Sequence, residues 1–188
     1  MRTTIQSNTA HPRQDDKALL DRVMSFELDE IDASLPFTRR LARENRWDVV
    51  YAVRVVREYK RFVYMAMRAG HSVSPSLAVD QAWHLHLLYT RSYWQDLCDG
   101  VLGCELHHGP TRGGRAEGEK HRDQYQRTLD SYERLFGDKP PSDIWPSVDD
   151  NFTDAVKWVY VNHAAYWIVP HPMALMKRLI RTLFSRGK

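Results

Sequence analysis

The sequence predicts an all-α, single-domain helical bundle with a long Gly/Pro-containing loop after one motif-bearing helix. Three observations carry that expectation. No stretch of any length alternates apolar and polar residues as a half-buried strand would. Apolar side chains instead recur at three- and four-residue steps through most of the chain. Proline, glycine and capping residues punctuate those runs. With 188 residues, 43% hydrophobic and 11% aromatic, the chain can bury a real core, and its composition argues against disorder.

Taken in order, residues 1–14 read as a polar, disordered leader without the apolar run of a signal peptide. A helical domain is expected over 15–172. It begins with Asp15 and Asp16 in a first turn and a stripe of Leu19, Val23, Phe26 and Leu28. Ser34 before Leu35-Pro36 reads as the N-cap of a short arginine-rich helix, FTRRLARENRW. Asp48 is placed to cap a third helix with Val49, Val53, Val56, Phe62 and Val63 on its apolar face. Its width marks it as a central helix, ended by Gly70. Ser74-Pro75 or Ser76 then opens the motif helix. A long amphipathic helix follows from about Glu119 to Phe136, with His121, Tyr125, Leu129, Tyr132 and Phe136 on one side. Gly137 stops it, and DKPPSDIWP reads as a rigid extended connector. A helix over about 151–163 and a basic amphipathic helix over 173–188 complete the expectation, with Trp145 and Trp167 as core anchors.

Charge and cysteine content narrow the function classes. Twenty-seven basic residues against 24 acidic ones, a net charge of +3, give no concentrated basic face for nucleic acid. The arginines between Arg39 and Arg61 are interleaved with acids. Two cysteines six apart, Cys98 and Cys104, make no disulfide framework, and a cytoplasmic setting is the simpler reading. No run reaches the roughly 18 apolar residues of a spanning helix. Peripheral membrane contact through 173–188, or an unknown partner protein on that face, remains an expectation because Lys177, Arg178, Arg181, Arg186 and Lys188 flank an apolar stripe.

The chemistry concentrates between Val79 and Gly114, which hold four of the nine histidines and both cysteines. Asp80 and His84, four apart on a helix, share a face, and carboxylate plus imidazole suits zinc or a first-row metal. His86, two residues on, points about 200° around the helix, so His84 and His86 cannot easily chelate one ion. Further ligands are expected from His107 and His108 in the turn HHGPTRGG. The predicted metal set is therefore Asp80, His84, His107 and His108, for a divalent zinc or iron ion; Asp80, His84 and His108 are the favoured ligands, with His107 and His86 as supporting or alternate ones. Trp83, His86, Tyr89, Arg91, Tyr93, Thr111, Arg112 and His121 are expected to line the pocket or support the ligands. The competing reading is structural: histidines among Trp83, Leu85, Leu87 and Leu88 can be satisfied core polar groups. On that view the protein is a non-catalytic interaction or membrane-peripheral module. There is no GxSxG, HExxH, phosphate-loop or dinucleotide fingerprint.

The run VDQAWHLHLLYTRSYW followed by LHHGPTRGG resembles the glycine-rich domain-containing protein-like family. Its mark here is Asp80, Trp83, His84, His86, Tyr93 and His107 or His108. The flanks RLARENRW, REYKRF and YQRTLDSYERLFGDKPPSDIWP are similar to its bacterial branch, extending the likeness over about 25–172. Two features depart from the plant members: the glycine-rich tail is missing, and where those members have aspartates after the turn histidine this chain has His108-Gly109 or Gly109-Pro110. The resemblance implies a helical domain without an assigned reaction.

Overall fold

A computed structural model describes residues 12–30, 32–109 and 115–152, and every regular element among them is helical. The elements are α1 (Pro12–Ser25), α2 (Phe37–Asn45), α3 (Val49–Arg68), α4 (Leu77–Leu88), a π-helix (Ser92–Leu102), α5 (Arg115–Phe136) and α6 (Val148–Asn151). The expectations for residues 1–11, for Thr111 and Arg112, for the helix past Phe152, for Trp167 and for the 173–188 tail lie outside the described residues. No helix among those described is long and apolar enough to cross a membrane.

The central element is α3, packed against α1, α2, α4 and α5. Asp48 caps it as predicted, its Oδ1 accepting from the Val50 and Tyr51 backbone N–H groups at 2.7 and 3.2 Å. Ala52, Val55, Tyr59, Phe62, Val63 and Met65 bury its inner face, at about 1.5–3 kcal/mol for each large side chain. Of the expected stripe only Phe62 and Val63 are buried: Val49 and Val53 are exposed and Val56 is half-buried, because the face that meets the other helices runs through Ala52, Val55 and Tyr59 instead. The helix ends before Gly70, whose φ of +78° closes the turn without the clash that a Cβ would meet in the left-handed region. Lys60 reaches from α3 to the Met24 carbonyl at 3.1 Å, satisfying an orphan acceptor near the end of α1.

Three local expectations are corrected. Helix α1 begins at Pro12, inside the expected leader, because proline is at home where a helix needs no N–H donor. Ser34 does not cap α2; Pro36 occupies the cap position. Asp29 supplies the acceptors from a distance, taking the Thr38 N–H at 2.7 Å and the Thr38 hydroxyl at 2.8 Å. The connector after α5 is not simply extended. The Pro141 carbonyl accepts from both Ile144 and Trp145 N–H, at 3.0 and 2.7 Å, and the resulting turn drives Ile144 and Trp145 into the core.

Helix α5 carries Tyr125 and Tyr132 inward as its periodicity predicts. A second face of α5 ties down residues 69–74. Gln124 donates to the Val73 carbonyl at 3.0 Å, and Thr128 Oγ1 accepts from the Ser74 N–H at 2.9 Å. Ser131 Oγ meets His71 Nε2 at 2.8 Å, and Arg134 donates to the Ala69 carbonyl at 3.1 Å. These rungs fix the segment that launches α4.

Candidate metal centre

Ser76 starts α4, its Oγ accepting from the Val79 N–H at 3.3 Å. From that start, Val79, Ala82, Trp83, Leu85 and His86 turn inward. Asp80 and His84 fall on the outward side, His84 Nδ1 standing 3.7 Å from Asp80 Oδ2. The third member arrives from the segment after the π-helix: His108 Nε2 donates to Asp80 Oδ1 at 2.8 Å. The His84 and His108 rings lie 4.5 Å apart, and the Trp83 ring lies 4.3 Å from His108. One donor atom from each of Asp80, His84 and His108 falls within 4.8 Å of the others. Side-chain exposures of 24%, 50% and 19% leave the cluster shallow and open on the His84 side.

The other histidine of the motif helix does something else. His86 is fully buried, with Nδ1 sharing a hydrogen bond with the Tyr59 hydroxyl at 2.9 Å and Nε2 with Ser92 Oγ at 3.1 Å. Phe26, Phe37 and Tyr93 surround its ring. Burial pushes its pKa down to about 4, so the ring is neutral at physiological pH. His86 ties α3, α4 and the π-helix together, away from the cluster.

His107 also stands apart, 70% exposed, pairing with Glu105 at 2.8 Å and lying against Trp94. Tyr89 packs on Phe37 and under Arg40 of α2. Arg91 is exposed where the π-helix begins, and His121 is half-buried on α5. The structure thus gathers three of the four predicted ligands, with Trp83 directly behind one of them.

The link between α4 and His108 is the part that periodicity does not reveal. Trp83 Nε1 donates to the Tyr93 hydroxyl at 2.9 Å, and Tyr93 donates to the Leu106 carbonyl. Burial pushes the Tyr93 pKa up to about 12, so the phenol keeps the proton it donates. The π-helix itself goes unpredicted, although its apolar residues Tyr93, Leu97, Cys98 and Leu102 recur in steps of four and five, as i→i+5 bonding favours. It ends at Gly103, with a φ of +70°.

An all-helical domain with an Asp-His-His cluster at its surface is the class that fold and site define. Residues 35–130, just over half of the chain, match the family described as UCP032817-like, and the chain belongs to that family. The matched stretch takes in α2, α3, α4, the π-helix and all three cluster residues. No curated protein and no solved structure matches the chain.

Proposed function

We propose that Asp80, His84 and His108 hold a divalent metal ion, zinc or iron, and that the site serves metal-dependent catalysis. The observation that carries this reading is the convergence of three donor atoms within 4.8 Å from a helix and a segment 24 residues further along the chain. The donor set fits: one carboxylate with two imidazoles is used both by catalytic zinc and by non-haem iron, and three protein ligands leave positions for water or substrate. A bound ion would supply Lewis acidity there, polarising a substrate or activating water or oxygen. Asp80 holds the His108 ring in place, Trp83 backs that ring, and half-exposed His84 leaves the site reachable from solvent. The resemblance to the glycine-rich domain-containing protein-like chains, resting on the same residues, belongs to this proposal.

The test is metal content of tag-free protein after supplementation with zinc or, under anaerobic conditions, ferrous iron. One ion per chain is expected in the wild type, and near-complete loss in His84→Ala and His108→Ala while their helical circular dichroism is kept. Wild-type protein that takes up no stoichiometric metal would sink the reading. A second reading rests on the same 2.8 Å contact: Asp80 and His108 already satisfy one another, as a polar lock in a non-catalytic interaction module would require. Under that reading Asp80→Asn loosens the 105–108 segment with no metal involved, and residues 173–188 dock a partner or membrane. Co-sedimentation with anionic vesicles, before and after truncation at residue 172, tests that docking.

A further inference from the structure

His108 lies in a stretch with no regular structure, so no helical register holds it opposite Asp80. Something else must fix it. The nearest anchored residue is Leu106, whose carbonyl accepts from the Tyr93 hydroxyl. Tyr93 belongs to the first turn of the π-helix. Its side chain is fully buried, so the grip does not compete with water. Trp83 donates into the Tyr93 oxygen at 2.9 Å, which directs the phenol's own proton towards Leu106. The same Trp83 ring lies against His108.

We propose that the π-helix is the positioning device for this site: its Tyr93 grips Leu106 and thereby sets His108 against Asp80. The contacts form a closed circuit, from the helix that carries Asp80 and His84, through Trp83 and Tyr93 to Leu106, and back through His108. Its consequence for affinity rests on the metal reading above, whereas the placement of His108 is a property of the metal-free protein. Tyr93 touches no ligand atom and acts through Leu106, as outer groups that orient metal ligands do.

Tyr93→Phe keeps the ring and removes the hydroxyl. Tyr59→Phe is the control: it removes an equally buried hydroxyl, from the His86 pair, that does not reach Leu106. In metal-free protein, the His108 Nε2 proton held by Asp80 should give a slowly exchanging imidazole resonance, assigned by its loss in His108→Ala. That resonance is expected to persist in wild type and Tyr59→Phe and to vanish in Tyr93→Phe. Zinc titration should show affinity weakened roughly 10- to 100-fold in Tyr93→Phe and changed less than about threefold in Tyr59→Phe. A resonance retained in Tyr93→Phe, or lost equally in Tyr59→Phe, overturns the proposal. If the resonance behaves as expected but wild-type protein binds no zinc, the metal reading fails and the positioning stands. Should Tyr93→Phe not fold, Trp83→Phe, which removes the donor that turns the Tyr93 proton towards Leu106, is read by the same resonance, and its persistence there counts against the grip on Leu106.

Discussion

His84 and His86 sit two residues apart and have opposite physical lives. One is half-exposed beside a carboxylate; the other is sealed between α3 and the π-helix. The buried ring has a linkage consequence. Its folded pKa is depressed to about 4, against about 6.5 in an unfolded chain, so below 6.5 the unfolded state binds a proton that the folded state refuses. The stability contribution is therefore complete above pH 6.5, falls as pH drops towards 4, and changes no further below that. Tyr59 and Ser92 face the ring with hydroxyls, and the other groups around it are aromatic, so no carboxylate contact offsets the effect. Urea midpoints measured from pH 7 to pH 4.5 should fall by an amount equivalent to at most about 3 kcal/mol. In His86→Gln, which keeps polar atoms without a titrating ring, that part of the slope should disappear. At this scale the sequence shows that Asp80 and His84 share a helix face and that His86 does not. Of the adjacent His107 and His108 it favours His108 as the ligand, while the orientation of each in irregular backbone is set by what its side chain finds to touch.

Among the elements, α3 shows its ends most plainly, since its cap and its terminating glycine are local signals, whereas its inner face differs from the expected one: Val49 and Val53, expected on it, are exposed. Asp48→Ala should lower stability by about 1 kcal/mol, the usual cost of losing an N-cap, read from chemical denaturation. Helix α2 teaches the opposite lesson. One of its orphan N–H groups, that of Thr38, is served by Asp29 nine residues before it, which also accepts from the Thr38 hydroxyl, while the local candidate Ser34 makes no cap. Asp29→Ala is therefore expected to cost about 1–2 kcal/mol, and Ser34→Ala less than about 0.5 kcal/mol. Equal costs for the two would contradict the assignment. The π-helix was hidden for a related reason. Its four-and-five spacing overlaps that of an ordinary helix too closely in eleven residues for periodicity to separate them.

At the scale of the molecule, the core formed by the described residues is held together by a buried ionic group as well as by apolar packing. Glu58 on α3 accepts from Trp145 Nε1 at 2.9 Å and stands 3.7 Å from the Arg61 guanidinium. Arg61 in turn donates to the Tyr132 hydroxyl and lies over the rings of Tyr132 and Phe136 on α5. Arg61→Met leaves the Glu58 carboxylate buried with its cation gone, and should destabilise by about 3 kcal/mol. Replacing Glu58 by Gln in the same background should restore part of that loss, and equal destabilisation of the single and double variants would refute the coupling. The sequence by itself determined the all-helical class, the central place of α3, the inward face of α5, and the pairing of Asp80 with His84. Each follows from the helical repeat and from caps within a few residues. Only the tertiary structure decided that Asp29 serves the start of α2, that Glu58 and Arg61 share the interior, and that His107 turns to Glu105 while His108 closes on Asp80. Those outcomes depend on groups from separate segments meeting in space, and a three- or four-residue spacing carries no record of such meetings.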